Sequence, residues 1–364
     1  MSGPRASIYY WKCDRPAAFH GVFRSPEITD PNLLPQLTAL LATALGETVK
    51  LTPAGGKGNH HTFLLDHAGE RHFVRVEDGP EGDGHLDMES RILGEVANAG
   101  VSAPRVLFTD ASRKQVPFAV QVIEYFDCPD LNSVYQQGGL RLTEVATEIG
   151  RNIARWQNVP VSGFGPFDPL RTNSTGRLTG YHDSYAAYFW LHQDRHLALL
   201  SANGLISEVE ADQISQLIKI KSALLDLEDS VLVHKDLALW NIMGTSDGIR
   251  AFIDWDDAIA GDPLDDLSLL GCFYSAEVVQ AALEGYASER PLPPGHLRRF
   301  WLHLLRNMIV KAVIRCGAGY FEASKNGAFL MGSGQDGPAF KAFTRERLMS
   351  AYRGLGEDRE LAHL

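Results

Sequence analysis

The most informative pattern in this chain lies in two stretches, Val231-Leu-Val-His-Lys-Asp-Leu-Ala-Leu-Trp-Asn-Ile-Met243 and, shortly after, Ala251-Phe-Ile-Asp-Trp-Asp256. Each stretch includes an apolar run typical of a short β-strand. Polar residues follow both runs, at the strand ends where a rigid scaffold can hold side chains in a defined position. The two stretches therefore predict one functional site.

The polar residues of these stretches stand at fixed distances. Asp236 and Asn241 are five residues apart, and Asn241 and Asp254 are thirteen apart. Phosphoryl transfer of the kinase type needs one carboxylate at the acceptor hydroxyl, and an amide oxygen with a second carboxylate to hold Mg²⁺ on the nucleotide phosphates. We therefore predict that Asp236 accepts or orients the acceptor's proton, and that Asn241 and Asp254 bind Mg²⁺, an ion that prefers oxygen ligands.

The catalytic interpretation has a structural alternative, in which Asp236 only caps a turn. Asp254 favours catalysis, because the short predicted hairpin returns it beside Asn241. His234 is grouped with Asp236 in the catalytic loop, as a residue that fixes the loop through hydrogen bonds rather than as a base.

A glycine-rich loop predicts where the nucleotide binds. It joins two predicted strands and contains Gly55, Gly56, Gly58 and Asn59. Glycines let backbone N–H groups approach phosphates closely. The loop does not fit the Walker A pattern, and glycine-rich hairpins are common, so it is a weak signal without support from other residues.

An ion pair is predicted to support the nucleotide. Arg75, in the third predicted strand, should reach the α- and β-phosphates, and Glu89, on the following helix, should hold it in place. The structural alternative is an ordinary surface cation and an acid on a helix face. Glu124 and Tyr125, at the end of the fifth predicted strand, should border the adenine, where backbone groups would provide the recognition.

Composition limits the partners and the compartment. The 364 residues are enough for two lobes, each with its own core. A net charge of −11 disfavours nucleic acid, since phosphate backbones bind basic surfaces. Four cysteines without a CxxC pair, and no apolar signal core, favour the reducing cytoplasm. No run approaches the ~20 apolar residues of a membrane span, so we expect a small-molecule partner.

The periodicity predicts an α+β fold in three segments. Residues 1–47 form an extension and a helix. Residues 48–127 form a small antiparallel sheet of about five strands, with one helix after the third. Residues 128–364 are mainly helical apart from the strands of the site, and one helix is predicted over residues 181–200. His192 and His196, four residues apart on it, are interpreted as a solvated helix face.

With these residues in view, the chain resembles the aminoglycoside phosphotransferase and choline kinase family, whose fold is protein-kinase-like and two-lobed. The resemblance covers about residues 48–320. Three motifs carry it: His234-Lys-Asp-Leu-Ala-Leu-Trp-Asn241, Ile253-Asp-Trp-Asp-Asp-Ala258 and Gly261-Asp-Pro-Leu-Asp-Asp-Leu267. They resemble the family's catalytic loop, its metal-binding segment and a stretch in which Asp262 and Asp266 would brace the active-site loops. The resemblance implies Mg²⁺ and ATP or GTP.

Two positions depart from the family pattern. Lys235 stands where the family usually has glycine, and it could contact phosphate or substrate, or point to solvent. Arg75 stands at the position of the nucleotide-clamping lysine, a position at which some members have arginine.

A small hydroxylated molecule is the predicted acceptor. Residues 255–260 leave no room for the activation segment of a protein kinase. Asp256, Asp257 and the acidic balance favour an amine-bearing acceptor such as an aminoglycoside, an aminocyclitol or an amino sugar. The alternatives are a metabolic kinase for a sugar, choline-like or hydroxy-amino-acid substrate, and a non-catalytic nucleotide-binding module. The oligomeric state stays open.

Overall fold

The structure, a computed structural model, describes residues 4–15, 31–54, 60–79, 81–322 and 336–364. Its strands are β1 Lys50–Pro53, β2 His61–His67, β3 Glu70–Glu77, β4 Val106–Asp110, β5 Ala119–Glu124, β6 Val161–Ser162, β7 Phe164–Phe167, β8 Leu178–His182, β9 Val231–Val233, β10 Ile242–Thr245, β11 Gly248–Phe252 and β12 Ile259–Gly261. The predicted loop residues Gly55, Gly56, Gly58 and Asn59 lie outside the described residues.

The helices follow one another from the N-terminus to the C-terminus. They are α1 Trp11–Asp14, α2 Leu33–Leu45, α3 His85–Asn98, α4 Leu131–Gln136, α5 Leu142–Trp156, α6 Pro169–Thr175, α7 Tyr185–Phe189, α8 Gln193–Ala202, α9 Glu208–Ile220, α10 Asp265–Gly271, α11 Ala276–Glu289, α12 His296–Gly317 and α13 Gly337–Glu357. In the described residues, no helix combines the length and apolar character that crossing a membrane would need.

The N-terminal part of the fold is an antiparallel sheet with strand order β1-β2-β3-β5-β4. Val74 and Val76 of β3 alternate toward one face, where they share an apolar core with Leu37 and Leu41 of α2. Helix α3 follows the third strand and contacts β4 and β5. The prediction of a sheet followed by a mainly helical part is confirmed.

A second sheet, which the sequence prediction missed, lies within the helical part. Its strand order is β6-β8-β7-β12-β9, so it joins β9 and β12, which lie before and after the predicted site residues, to strands of residues 161–182. The prediction of one helix over residues 181–200 is wrong: this range begins in strand β8 and then forms two helices, α7 and α8. Tyr181 and His182 are extended in β8, and Ser184 caps α7 instead. His192, with φ of +55°, then separates α7 from α8.

The helical part is built on close helix contacts. Helices α5 and α11 meet through Gly150 and Gly285: a Cβ on Gly150 would lie 1.9 Å from the carbonyl oxygen of Ala282, so no larger residue fits. Helix α12 is buried on all sides from Phe300 to Arg315. Such a helix is the centre of its region, and α12 carries Lys311 to the site.

Candidate active site

The catalytic loop leaves β9 and is braced by Asp266 at the start of α10. The two carboxylate oxygens of Asp266 accept hydrogen bonds from the backbone N–H groups of His234 (2.8 Å) and Lys235 (2.9 Å). Asp262, the other predicted brace, instead accepts from the N–H of Leu264 (2.8 Å) in its own turn. Lys235 has φ of +70°, a left-handed conformation that costs a residue with a Cβ about 1–2 kcal/mol. That cost explains why glycine is usual at this position.

The side chain of His234 links the loop to the second half of the site. The ring is fully buried, its centroid lies 4.4 Å from that of Trp255, and Nε2 donates a hydrogen bond to the carbonyl of Ile253 (3.0 Å). Burial lowers the pKa of His234 to about 4, so the ring is neutral near pH 7. A neutral ring that donates to a backbone carbonyl organises the loop and is not placed to act as a base.

Asp236 lies at the centre of the site and is 2% exposed. Nδ2 of Asn241 donates to its backbone carbonyl (2.8 Å) and to Oδ2 (3.1 Å). Oδ1 accepts from the Tyr10 hydroxyl (2.6 Å) and from Lys311 Nζ (2.9 Å), and Oδ2 forms an ion pair with Lys12. Burial alone would raise the pKa of Asp236, but the charges of Lys12 and Lys311 hold it well below its usual range. The carboxylate is therefore ionised.

The two predicted metal ligands meet at the base of the β10–β11 hairpin. The backbone N–H of Ile253 donates to the carbonyl of Asn241 (3.0 Å), which brings Asp254 beside Asn241. Because Nδ2 of Asn241 is bound to Asp236, Oδ1 is the atom of this side chain that could coordinate a metal ion. The Asp254 side chain is 32% exposed. An amide oxygen and a partly exposed carboxylate are hard ligands, so the pair fits Mg²⁺.

The predicted metal-binding segment, residues 253–258, also holds carboxylates whose negative charges repel each other. Burial and the neighbouring Asp256 carboxylate raise the pKa of Asp254. A bound cation would offset this repulsion, which is a second reason that the segment suits a metal.

The predicted ion pair between Arg75 and Glu89 is present. Nη1 of Arg75 lies 2.6 Å from both carboxylate oxygens of Glu89, and both side chains are buried. Oε1 of Glu89 also accepts from the N–H of Trp255 (3.1 Å), and Nη2 of Arg75 lies 3.5 Å from Oδ1 of Asp254. The pair therefore ties β3 and α3 to the predicted metal-binding segment, and the alternative of a surface cation is excluded.

Asp256 and Asp257 are both buried, and Asp256 lies beside Arg75. Oδ2 of Asp256 lies 3.6 Å from His60 Nε2 and 3.8 Å from Arg75 Nη2. Oδ2 of Asp257 has no hydrogen-bond partner within the described residues. Burial, and after it the charge of Asp256, raise the pKa of Asp257 to about 7. The carboxylate of Asp256 is thus directed at His60 and at Arg75, the arginine of the predicted nucleotide clamp.

Lys235 does not point to solvent. It is 1% exposed, and its Nζ lies 2.7 Å from Asp265 Oδ2 and 3.2 Å from both Asn307 Oδ1 and the Tyr9 hydroxyl. Of the contacts predicted for Lys235, the one with solvent is therefore wrong, because a buried carboxylate has taken the ammonium group. Contact with phosphate or substrate stays a prediction.

The end of β5, the predicted border of the adenine, carries Glu124 and Tyr125. Oε2 of Glu124 accepts from Nε of Arg105 (3.0 Å), and the guanidinium of Arg71 lies 5.9 Å from the centre of the Tyr125 ring. Both side chains contact neighbours on the sheet. Their part in adenine binding stays a prediction.

The sequence prediction missed residues 5–14, called here the N-terminal segment, which pack directly on the site. Tyr9 stacks on Tyr188 with ring centroids 4.8 Å apart, and its carbonyl accepts from the Tyr188 hydroxyl (2.7 Å). The segment brings Tyr10 and Lys12 to the catalytic carboxylate, opposite Lys311. Two signals in the sequence could have pointed to these residues. Tyr9, Tyr10 and Trp11 are consecutive aromatics in an aperiodic segment, and Lys311 is a lysine within an apolar run of α12.

The same segment corrects the prediction of a solvated face at His196. His196 is fully buried; its Nε2 donates to Oδ1 of Asp14 (2.8 Å) and its Nδ1 accepts from Nη1 of Arg306 (3.0 Å). His192 is half-buried and its Nε2 donates to the carbonyl of Ser7 (2.6 Å). The solvated-face prediction is wrong, because a segment about 180 residues earlier in the sequence covers this side of α8.

The chain is similar in sequence to one protein family and in structure to several solved proteins. The model of the phosphotransferase enzyme family (APH) matches residues 50–298. No curated protein matches the sequence. Among solved structures, the aminoglycoside phosphotransferase APH(4)-Ia in a ternary complex with ADP and hygromycin B is similar at a TM-score of 0.60 and 16% identity, covering 87% of this chain and 98% of that one.

Two further solved structures are similar over comparable lengths. A proposed fructosamine-3-kinase from Haemophilus somnus has a TM-score of 0.57 and 15% identity, covering 87% of this chain and 97% of that one. Spectinomycin phosphotransferase APH(9)-Ia, in complex with ADP and spectinomycin, has a TM-score of 0.54 and 14% identity, covering 88% and 98%. At such identities the likeness establishes a shared fold.

The fold and the family match together define a phosphotransferase. The chain belongs to the phosphotransferase enzyme family, as the family model spans residues 50–298 of its 364.

Proposed function

We propose that this chain is a Mg²⁺-dependent kinase that transfers the γ-phosphoryl group of ATP or GTP to a hydroxyl of a small molecule. One observation carries the proposal: Asp236, Asn241 and Asp254 converge through the contacts of Asn241 with Asp236 (3.1 Å) and with Ile253 (3.0 Å). The Arg75–Glu89 pair adjoins them, 3.5 Å from Asp254. We assign to these adjoining residues the roles of a base, two metal ligands and a nucleotide clamp.

The residues would act mainly through positioning and charge. The acceptor oxygen attacks the γ-phosphorus and forms the new O–P bond; the bond to the β–γ bridging oxygen breaks, and the nucleoside diphosphate leaves with the electron pair. Asp236 orients the hydroxyl and takes its proton. Arg75, held by Glu89, binds the nucleotide phosphates. Mg²⁺ on Asn241 and Asp254 would neutralise charge on those phosphates.

The domain assignment follows from these roles. We assign residues 48–127 to a nucleotide-binding lobe and residues 128–364 to a helical lobe with the catalytic loop and the substrate site. Residues 1–47 are assigned to an extension and a helix. The extension supports the site rather than standing apart from it, because Tyr10 and Lys12 contact Asp236.

The surroundings of Asp256 and Asp236 widen the range of acceptors beyond the amine-bearing compounds that the sequence suggested. Asp256 faces Arg75 and His60, so its placement does not support an amine-binding role. The charged partners of Asp236 in the described part of the chain are Lys12 and Lys311. Neutral and anionic hydroxyl compounds are therefore acceptors to consider beside aminoglycosides, aminocyclitols and amino sugars.

A panel of acceptors tests the proposal. Aminoglycosides, amino sugars, polyols, choline, hydroxy-amino acids and hydroxy acids are incubated with Mg-ATP or Mg-GTP, while nucleoside diphosphate release and product mass are measured. We expect turnover with one class, its loss in Asp236→Asn, and its retention in Asp247→Asn, which makes the same change at an exposed position of the β10–β11 turn. Nucleotide binding without transfer to any acceptor or to water would support the non-catalytic module instead.

A further inference from the structure

The two carboxylate oxygens of Asp236 have different surroundings. Oδ1 accepts hydrogen bonds from the Tyr10 hydroxyl and Lys311 Nζ, two groups that lie 3.0 Å from each other. Both residues are buried: Tyr10 is 3% exposed and Lys311 is 5% exposed. Oδ2 carries the Asn241 amide and Lys12, whose side chain is 23% exposed. Among the described residues, Lys12 is therefore the partner of Asp236 that lies nearest to solvent.

The backbone on both sides of Lys12 is anchored. Before it, Tyr9 stacks on Tyr188, and its hydroxyl lies 3.2 Å from Lys235 Nζ. After it, the Asp14 carboxylate accepts from the buried ring of His196 (2.8 Å). Moving this backbone would break all of these buried contacts. A lysine side chain is a flexible four-carbon stem with a compact charge, so it can change partner while the backbone stays in place.

The ammonium group of Lys12 forms an ion pair with Oδ2 of Asp236, and the charges of Asp254 and Asp257 also act on it. Burial alone would lower the pKa of Lys12, but the charges of Asp236, Asp254 and Asp257 raise it, so the group stays cationic. Two of these carboxylates belong to the proposed base and the proposed metal ligand. A cation near both is placed where negative charge on a transferring phosphoryl group has to be stabilised.

We propose that Lys12 is a catalytic residue, whose ammonium moves from Oδ2 of Asp236 to the oxygens of the transferring phosphoryl group. The inference rests on the proposed function. The move leaves Oδ2 with the Asn241 amide alone, so that its open lone pair accepts the proton of the acceptor hydroxyl as the hydroxyl oxygen bonds to phosphorus and the nucleoside diphosphate leaves. Tyr10 and Lys311 stay on Oδ1 as positioning residues. Lys12 and Lys311 both lie outside residues 50–298, so the family match does not include them.

Substitution of Lys12 in the full-length protein tests this role with two measurements. Lys12→Met keeps the length of the side chain and removes its charge, Lys12→Arg keeps the charge, and Lys219→Met makes the same change at an exposed position of α9. The first measurement is the kcat of Mg-ATP hydrolysis, with water as the acceptor. The second is the calorimetric Kd for Mg-ADP with and without aluminium fluoride, a mimic of the transferring phosphoryl group.

For Lys12→Met we expect kcat to fall by roughly 10²-fold, the usual loss for one preorganised donor in a transition state. Binding of Mg-ADP with aluminium fluoride should weaken by a similar factor while binding of Mg-ADP alone changes less than about twofold, since the charge acts on the transferred group. Lys12→Arg should recover part of both losses. Lys219→Met should match the wild type.

Two results overturn the role of Lys12 and leave the proposed function standing. In the first, Lys12→Met hydrolyses Mg-ATP and binds the aluminium fluoride complex as the wild type does. In the second, Lys12→Met is faster than the wild type, which would make the ammonium a block on Asp236. A different result would refute the proposed function, and the role of Lys12 with it. In that result the wild-type protein does not hydrolyse Mg-ATP, phosphorylates no acceptor, and binds Mg-ADP with aluminium fluoride no more tightly than Mg-ADP alone.

Discussion

Tyr10 and Asp236 lie 226 residues apart in the sequence, yet the Tyr10 hydroxyl donates a hydrogen bond of 2.6 Å to Oδ1 of Asp236. The same hydroxyl accepts from Lys311 Nζ (3.0 Å), which bonds to the same oxygen of Asp236. The orientation of the proposed base therefore depends on a residue of the N-terminal segment.

Removing this hydroxyl should impair catalysis more than substrate binding. In Tyr10→Phe we expect kcat to fall by about tenfold with the KM for nucleotide unchanged, because Oδ1 keeps only Lys311. The free energy of unfolding should fall by about 1.5–3 kcal/mol, the range for a hydrogen bond to a charged group. Steady-state kinetics and denaturant unfolding measure the two effects. The control is Tyr352→Phe on α13, and equal kcat values for Tyr10→Phe and wild type would contradict the positioning role.

Asp254 should control the use of Mg²⁺. Its side chain is 32% exposed beside Asn241, whose Oδ1 is the second proposed ligand atom. In Asp254→Asn we expect the Kd for Mg-ADP to rise roughly 10- to 100-fold, a loss that even outer-shell partners of a metal produce. Binding of ADP in EDTA should change little. Titration calorimetry with and without Mg²⁺ separates the effects, and a metal dependence like that of the wild type would contradict the assignment.

Glu77, at the end of β3, should make stability depend on pH. Burial, and after it the charge of Asp83, raise the pKa of Glu77 from 4.5 to about 7. A raised carboxyl pKa means that the folded state holds the proton more tightly. The stability that this gives is present below about pH 4.5 and is lost as the pH rises through about 7.

Glu77→Gln should therefore unfold at higher denaturant concentration than the wild type at pH 8. The expected difference is on the order of 1–3 kcal/mol, because each pKa unit corresponds to about 1.4 kcal/mol. At pH 4 the advantage should disappear. Denaturant unfolding at both pH values measures it, with Glu277→Gln at an exposed position of α11 as the control. A variant that is less stable than the wild type at pH 8 would refute the sign of the shift.

Lys235 combines a strained backbone with a buried ion pair. Glycine would remove the cost of φ +70°, about 1–2 kcal/mol, but would leave Asp265 without the ammonium that lies 2.7 Å away. Breaking a buried pair costs about 3–5 kcal/mol. Lys235→Gly should therefore lower the free energy of unfolding by about 1–4 kcal/mol.

Two further variants separate the strain from the charge. Lys235→Gly with Asp265→Asn should recover much of the loss, since no buried charge is left unpaired. Ala68→Gly relieves a positive φ of 51° at an exposed turn and should raise stability slightly. Chemical unfolding of the three variants is the measurement. A single Lys235→Gly change that stabilises the protein would show that the ion pair contributes less than the strain.

The parts of the site that could be predicted are joined by short stretches of chain. Asp236 and Asn241 share one loop, and a hairpin of two short strands returns Asp254 beside them. Arg75 and Glu89 are 14 residues apart on a strand and the helix that follows it. A strand end, a tight hairpin and a strand–helix unit each have few possible geometries, so residue type and spacing were sufficient.

The missed features depend on contacts between distant parts of the chain. Strand β12 pairs with both β7 and β9, a pairing that joins residues 164–167 to residues 231–261. Tyr181 and His182 carry a helical period but lie in β8, which pairs with β7 through His182 and Phe164. Local propensity is weak compared with such pairing, which explains the wrong helix.

The local sequence was thus sufficient to predict the type of chemistry. It indicated the residues that could act as base, metal ligands and nucleotide clamp, and the strands that carry them. Packing of the whole chain settled their surroundings, namely that Tyr10, Lys12 and Lys311 meet at Asp236 and that Lys235 is paired with Asp265. The physical reason is the range of the interactions. Short loops restrict neighbouring residues directly, whereas contacts over more than 200 residues form only when many apolar surfaces are buried together.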